Sequence, residues 1–233
     1  MPEHDTFQKL HLDVDNVFCI SAKEREDRRQ LLTKEFESLA NNIEFVLIER
    51  DLENGERGCF NSHVLCAKLA LERGYKRVLI LEDDATLLPL SQTHARRINL
   101  FLKLRNPELF YLGGILGRMW TIPFPNVVRC RLTGTQAYIL SKKGCERLSR
   151  MRYQGRAIDG SYCKEFKAYS SYPMISQQQP ESKVSSDINS YRSRDKKSHI
   201  KDEAFWERNH KGQRAALRRN WLRTLFQIGR AHV

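Results

Sequence analysis

Apolar residues along the chain fall either in short unbroken runs or at helical spacing. The runs at 16–20, 45–48 and 77–81 predict strands. Between them, apolar positions three or four residues apart predict a helix with Ser21 as its N-cap, ending near Leu39, and a second helix over residues 58–73. Strands that alternate with helices predict an α/β sandwich.

The second half of the chain continues this pattern. It predicts helices over 91–103, 141–151 (capped by Ser141) and 157–166, strands at 109–113 and 135–140, and a β-ribbon through 118–131. Residues 177–201 are rich in polar and charged types, and we expect a loop or partial disorder there. Apolar residues at helical spacing among arginines predict a basic amphipathic helix over 215–228. We therefore expect a core domain over 1–188 and a basic, partly disordered helical tail over 189–233.

An acidic triplet follows the third predicted strand. Glu82, Asp83 and Asp84 come directly after residues 77–81, whose unbroken apolar run is typical of a strand buried on both faces. Adjacent carboxylates repel one another unless they are solvated or share a cation. Mg²⁺ or Mn²⁺ takes one or two carboxylates plus phosphate oxygens, and α/β folds bind ligands where strands end. The triplet is therefore a candidate metal site, and a solvated turn with one acid capping a helix explains the spacing equally well.

Four other polar residues are candidates, each with a simpler explanation beside it. His63 lies on the apolar side of the second helix next to Cys59, where a core histidine is the favoured interpretation. Ser62 fits a hydroxyl bonded within its own helix. Arg25 and Arg28, near the start of the first helix, suit phosphate binding together with the free N–H groups there, and they equally suit a solvated face.

Composition and charge narrow the class of protein. The formal net charge is +12, and much of it lies beyond Tyr191, which suggests an anionic partner or surface for the tail. A nucleic-acid-binding protein would leave the acidic triplet unexplained. The six cysteines show no zinc-site spacing and are predicted to be buried thiols. Residues 1–5 lack the features of a signal peptide and no run of roughly 20 apolar residues occurs, so we expect a cytoplasmic protein.

Three segments together resemble glycosyltransferase family 25, the lipooligosaccharide glycosyltransferase and collagen galactosyltransferase group. They are VFCISAKEREDRR from Val17, GERGCFNSH from Gly55 and VLILEDDA from Val78. Residues 134–140, 158–159, 172–177 and 185–188 follow in the family's order, so the resemblance covers about 17–188. Ser21 and Ala22 stand where the family usually has Asn-Leu. Residues 228–233 resemble a translated sequencing adapter, and we expect the natural C-terminus to differ.

The resemblance implies a GT-A-like nucleotide-binding fold with a mostly parallel central sheet. It also implies inverting, metal-assisted transfer of a hexose, commonly galactose from UDP-galactose, to a hydroxyl of a lipooligosaccharide or other glycan. On this basis Glu82 and Asp84 bind Mn²⁺ or Mg²⁺, and Asp83 lies at the nucleotide. Asp159 is the candidate catalytic base on the acceptor side, with Asp187 in reserve.

The remaining candidates belong to the donor site and the tail. Ser62 and His63 would order the nucleotide pocket, while Ser21, Arg25 and Arg28 would contact or steer the donor. The arrangement of Trp221, Leu222, Leu225 and Phe226 among arginines suits peripheral contact with the anionic inner face of the cytoplasmic membrane, or a helix packed on the domain. Two other functions stay open: an inactive relative that serves as a scaffold or lipid-surface binder, and a basic nucleic-acid-binding protein.

Overall fold

A computed structural model of the chain describes residues 10–40, 42–179 and 202–227. The helices of this described part are α1 (Glu26–Phe36), α2 (Gly55–Glu72), α3 (Gln92–Arg105), α4 (Lys142–Ser149), α5 (Ile158–Glu165) and α6 (Glu203–Gln227). Its strands are β1 (Asn16–Ala22), β2 (Glu44–Ile48), β3 (Arg77–Glu82), β4 (Ala85–Leu87), β5 (Leu109–Tyr111), β6 (Ile115–Thr121), β7 (Val127–Thr133), β8 (Ala137–Ser141), β9 (Ala168–Ser171) and β10 (Ser176–Gln178).

Eight of these strands form one sheet in the order β2-β1-β3-β8-β5-β9-β7-β6, and β4 pairs with β10 in a separate ribbon. β2, β1 and β3 are parallel, as are β5 and β9, whereas β8 and β7 run against both of their neighbours. Six of the eight strands therefore point in one direction. The predicted α/β sandwich with a mostly parallel sheet is confirmed.

The sheet is covered by helices on both faces, which explains the continuous apolar run of β3. Val78 and Ile80 face a core that includes Phe60 of α2. Leu79 and Leu81 face the opposite core, which includes Phe36 of α1. Because successive side chains of a strand point to opposite faces, a strand covered on both sides must be apolar throughout.

The start of α1 differs from its prediction. β1 continues through Ala22, and α1 begins only at Glu26 after Arg25. The predicted N-cap at Ser21 is wrong because the Ser21 hydroxyl donates to the Asp83 carboxylate, 2.8 Å away. A long-range contact with a buried acid thus replaces the local capping bond that the spacing suggested.

Other boundaries shift by about one turn for local reasons. α2 begins at Gly55 because the Asn54 side chain accepts a hydrogen bond from the Arg57 amide and caps the helix there. The predicted cap of α4 is confirmed, since the Ser141 hydroxyl accepts from the Gly144 amide. The ribbon predicted through 118–131 is present as β6 and β7. The short strands β4, β9 and β10 were not predicted.

The C-terminal helix α6 packs along β6 and is longer than its prediction. The side-chain amides of Asn209 and Gln213 both donate to the Gly114 carbonyl, at 3.2 and 3.1 Å. Asn220 donates to the Met119 carbonyl, and Leu217 lies in the core beneath the helix. Of the two alternatives for this region, the structure shows a helix packed on the sheet. Asp187 and most of the predicted loop at 177–201 lie outside the described residues, as do the side chains of Leu222, Leu225 and Phe226.

Within the described segments, no helix combines the length and the apolar character that crossing a bilayer requires.

We expect α6 to contribute to the stability of the sheet as a unit. Trp206 is 3% exposed, so Trp206→Ala should lower the free energy of unfolding by about 3–5 kcal/mol. Trp221, on the same helix, is 53% exposed, and Trp221→Ala should change it by less than about 0.5 kcal/mol. Urea unfolding followed by circular dichroism measures both. Equal midpoints for Trp206→Ala and wild type would show that α6 does not unfold with the sheet.

Candidate functional site

A cleft opens where β1, β2 and β3 end side by side. Its walls come from these strand ends and the first turns of α2, and the residues used below are Ser21, Arg28, Asp51, Gly58, Cys59, His63, Glu82, Asp83 and Asp84. The enclosed part has a volume of about 150 Å³. Since ligand pockets typically begin at about 300 Å³, a ligand seated here would extend beyond the enclosed part.

Asp83 has a structural role at the base of this cleft. One carboxylate oxygen accepts from Ser21 at 2.8 Å, and the other accepts from Arg28 at 2.9 Å. The Arg28 and Asp83 side chains are only 7% and 11% exposed. Arg28 is therefore neutralised by an acid of its own chain, and the pair ties α1 and β1 to the end of β3.

Glu82 and Asp84 flank Asp83 and take part in different contacts. Glu82 lies on the same face of β3 as Ile80, towards α2, and its Oε1 accepts from the Thr135 hydroxyl. Asp84 Oδ2 accepts from the Gln178 side chain at 3.3 Å, and the Asp84 carbonyl accepts from the Gln179 amide. Asp83 is therefore the structural carboxylate of the three, and Glu82 and Asp84 lie on either side of it in the chain.

A buried chain of polar groups leads from α5 through the core to Glu82. The Tyr162 hydroxyl donates to the Tyr138 hydroxyl at 2.8 Å, and the Tyr138 oxygen lies 2.7 Å from His63 Nδ1. With Tyr162 as its donor, Tyr138 has its own proton to give to Nδ1. The ring then carries a proton on Nε2, which lies 3.4 Å from Glu82 Oε1. His63 is 1% exposed, so its contact with Tyr138 fixes the ring beside Glu82.

Cys59, His63 and Glu82 are close enough for a metal ion, although the sequence showed no zinc-site spacing. One ligand atom from each lies within 4.8 Å of the others. Desolvation and then the Glu82 charge raise the pKa of the Cys59 thiol, an effect that a bound cation would oppose. His63 Nε2 is buried and faces Glu82 Oε1 at 3.4 Å without forming a hydrogen bond, so the cluster is held together by proximity alone.

For a hard divalent cation, the pair Glu82 and Asp84 offers better ligands than the cluster that includes Cys59 and His63. Mg²⁺ and Mn²⁺ prefer oxygen ligands and typically take one or two carboxylates with phosphate oxygens. Glu82 and Asp84 supply two carboxylates at one strand end, whereas Asp83 is committed to Ser21 and Arg28. The residues present therefore fit a two-carboxylate site that a diphosphate would complete.

The mouth of the cleft depends on a close contact between α2 and the segment after β2. A Cβ on Gly58 would lie 2.8 Å from the Asp51 Cβ, so only glycine allows this approach. Asp51 also accepts two hydrogen bonds from Arg57, which lower its pKa from 3.8 to about 2. The glycine-rich segment thus serves helix packing at the cleft.

Two predicted donor-site residues do not line this cleft. The Ser62 hydroxyl donates to the Gly58 carbonyl one turn earlier in α2. The Arg25 guanidinium forms an ion pair with Asp27, at 3.0 Å. Their contact with a nucleotide stays a prediction, and the bonds observed are those of a helix hydroxyl and a local ion pair.

Asp159 lies near the cleft, at the start of α5. Its carboxylate accepts from the Gly160 amide and from the Gly134 amide, at 2.6 and 3.3 Å. Gly134 precedes Thr135, the donor to Glu82, so one short loop links the candidate base to the acidic pair. Gly134 adopts φ +87°, a conformation that favours glycine.

Sequence reasoning missed Thr135, Tyr138 and Tyr162. Tyr138 occupies a buried strand and Tyr162 a buried helix face, where an aromatic residue needs no polar role to explain it. Only their contact with His63 across the core reveals the chain. Thr135 could have been suspected from its place in the loop before β8, at the edge where β3 ends.

The central part of the chain matches a family model. Residues 46–159 match the model described as Glycosyltransferase family 25 (LPS biosynthesis protein). A "Glycosyltransferase 25 family member" of Drosophila melanogaster is 28% identical over 134 residues, 46% of this chain and 22% of that protein. The protein of the same description from Drosophila pseudoobscura pseudoobscura is 27% identical over 136 residues, with the same coverage. This chain therefore aligns with about a fifth of the length of these relatives.

These matches are to glycosyltransferases, the class that the sequence motifs resemble. Residues 46–159 are similar to glycosyltransferase family 25, in agreement with that resemblance.

Solved structures give weaker likenesses. The crystal structure of A197 from STIV is 13% identical with a TM-score of 0.45, covering 72% of this chain and 93% of that chain. A glycosyltransferase involved in glycosylation of the major capsid of PBCV-1 is 16% identical with a TM-score of 0.34, covering 57% and 63%. UDP-glucose pyrophosphorylase complexed with UDP-glucose is 10% identical with a TM-score of 0.41, covering 67% and 72%.

The buried ion pair should be strongly coupled. Asp83→Asn leaves Arg28 buried without its counter-charge and should cost about 3–5 kcal/mol of unfolding free energy. A double-mutant cycle with Arg28→Met, measured by urea unfolding, should give a coupling energy above about 1 kcal/mol.

The matched control is the pair Lys23 and Glu49 on the cleft's outer rim. Its side chains are 57% and 81% exposed, so a cycle with Lys23→Met and Glu49→Gln should give a much smaller coupling energy than the buried pair does. Equal coupling energies in the two cycles would contradict the structural role of Asp83.

Proposed function

We propose that the protein is a glycosyltransferase that transfers a hexose from a UDP-sugar to a hydroxyl of a glycan. Galactose from UDP-galactose is the first donor to test, and a lipooligosaccharide is the first acceptor class. The observation that carries the proposal is the division of the acidic triplet. The Asp83 carboxylate is bonded to Arg28 and Ser21, while Glu82 and Asp84 line the same cleft beside it.

The donor diphosphate would lie at the end of β3. Bound with Glu82 and Asp84, Mn²⁺ or Mg²⁺ would neutralise the diphosphate and act as a Lewis acid on the leaving group. The Thr135 hydroxyl donates to Glu82, so this carboxylate is oriented before any ligand binds. A preorganised charge of this kind costs no rearrangement during the reaction.

Asp159 is the proposed base for the acceptor hydroxyl. It would take the proton as the hydroxyl oxygen bonds to the anomeric carbon and the bond from that carbon to the UDP oxygen breaks, which inverts the configuration. Two backbone amides hold the Asp159 carboxylate in place. Asp187 remains a reserve candidate outside the described residues.

The setting of the reaction is also a proposal. We place the enzyme in the cytoplasm, at the inner face of the membrane, where α6 would approach an anionic surface. Its exposed Arg218, Arg219 and Trp221 support this contact.

Binding of the donor nucleotide tests the cleft directly. Isothermal titration should show UDP and UDP-galactose binding that strengthens with Mn²⁺, and Asp84→Asn should weaken the metal-dependent part by at least about tenfold. Glu35→Ala, an exposed acid on α1, is the control and should bind as wild type does. If wild type binds neither ligand with any metal, the proposal fails and an inactive relative becomes the better description.

Release of UDP from UDP-galactose tests the base. Asp159→Asn should lower kcat by about 10² to 10⁴ while the Kd for UDP stays unchanged, because the change removes a proton acceptor. Glu165→Gln, on an exposed side of the same helix, should behave as wild type. A normal kcat in Asp159→Asn would move the role of base to another residue.

A further inference from the structure

A second cavity lies between α6 and the strands β6, β7 and β9. Its volume is about 440 Å³, within the range of small-molecule sites. Ile122, Phe124, Val128 and Leu217 give it an apolar lining. It shares no lining residue with the cleft at β3.

This groove opens at the same edge of the sheet as the cleft. Thr121 ends β6, Val127 begins β7 and Tyr172 follows β9. Because β6 and β9 run with β3 while β7 runs against it, all three residues lie at the edge where β3 ends. β9 is three strand spacings from β3, which is roughly 14 Å at about 4.8 Å per spacing. One extended molecule could therefore contact both places.

Two arginines on α6 border the groove. Arg214 and Arg218 are one helical turn apart and exposed. Neither forms an ion pair with an acid of the described part of the chain. Burial raises the pKa of Tyr172 on the groove wall, and the charges of these two arginines oppose that rise, so their field reaches the groove. The charge pattern suits an anion beside an apolar lining.

An aromatic ring completes the rim. Trp221 is 53% exposed and lies one turn beyond Arg218. An indole that is half in solvent offers a flat apolar surface with one polar edge, which suits the boundary between an apolar chain and a polar headgroup. The groove thus places cationic, aromatic and apolar groups in one concave surface.

We propose that this groove anchors the acceptor, and that the acceptor is an amphiphile in which an apolar chain carries a phosphate group. Arg214 and Arg218 bind the phosphate, and the apolar lining and Trp221 take the chain. The acceptor role rests on the proposed glycosyl transfer, whereas binding of the amphiphile does not. The roughly 14 Å from β9 to β3 means that the anchored group is separate from the reacting hydroxyl.

Octyl phosphate below its micelle concentration is the probe, titrated by calorimetry into the full chain. Wild type should bind it saturably at one site, and at least tenfold more tightly than inorganic phosphate or octyl glucoside. Arg214→Gln with Arg218→Gln should weaken binding at least tenfold. The matched control, Arg208→Gln with Arg219→Gln, removes the same charge from exposed positions of α6 outside the groove and should bind as wild type.

Each comparison tests a simpler explanation of binding. If inorganic phosphate binds as tightly as octyl phosphate, the groove is only an anion site. If octyl glucoside binds as tightly, the groove is only an apolar site. Equal losses in the two double variants would reveal general attraction to a basic helix. Any of these results, or no binding to wild type, overturns the proposal. Trp221→Ala provides a second check, because it should weaken octyl phosphate binding and leave the unfolding free energy unchanged.

UDP titration of the same proteins keeps the two proposals distinguishable. Both arginine double variants should bind UDP as wild type does, since the groove and the cleft share no lining residue. If octyl phosphate binds and UDP does not, the transfer reaction and the acceptor role fail while the amphiphile site stands. If UDP binds and octyl phosphate does not, the groove proposal alone fails.

Discussion

The ion pair between Asp83 and Arg28 is the constraint on which the candidate site depends. Two charges this deeply buried are stable only together, so the end of β3 and the start of α1 are held in one arrangement. Ser21 adds β1 to the same contact. Asp83 lies in the two-residue turn between β3 and β4, directly between Glu82 and Asp84, so fixing Asp83 restrains the backbone of both neighbours. The acid with the structural role thereby helps to position the two that we propose as metal ligands.

The second organising feature is the polar chain from Tyr162 to Glu82. It crosses a core that is otherwise apolar. Tyr162 donates to Tyr138, whose oxygen lies 2.7 Å from His63 Nδ1, and His63 Nε2 faces Glu82 at 3.4 Å without a hydrogen bond. Such networks are costly when incomplete, which restricts the geometries that His63 can adopt. His63 is a core histidine bonded to Tyr138, as the simpler interpretation expected, and its part in ordering a nucleotide pocket stays a prediction.

The fold was largely predictable from sequence because the strands β1, β2 and β3 and their helices are coded by local periodicity. The acidic triplet was visible for the same reason, as a polar interruption directly after a buried strand. Local signals failed where a distant partner decides the outcome. Ser21 carries the spacing of a helix cap and instead contacts Asp83, 62 residues later. β9 is too short to show a pattern, and Tyr138 looks like any buried aromatic residue.

β8 lies between β3 and β5 and separates the part of the sheet that forms the cleft from the part that forms the groove. The residues that line the cleft all lie at or before residue 84, and those that line the groove all lie after residue 120. The loop before β8, which contacts Glu82, is the exception to this division. The seam between the two halves of the sheet is β3 against β8, and the bonds across it join backbone groups whatever the side chains. Recombination between homologous sequences in the stretch from β4 to α3 would exchange one recognition surface while keeping the other. The architecture is therefore suited to evolving new pairings of ligands by exchange of halves rather than by stepwise substitution.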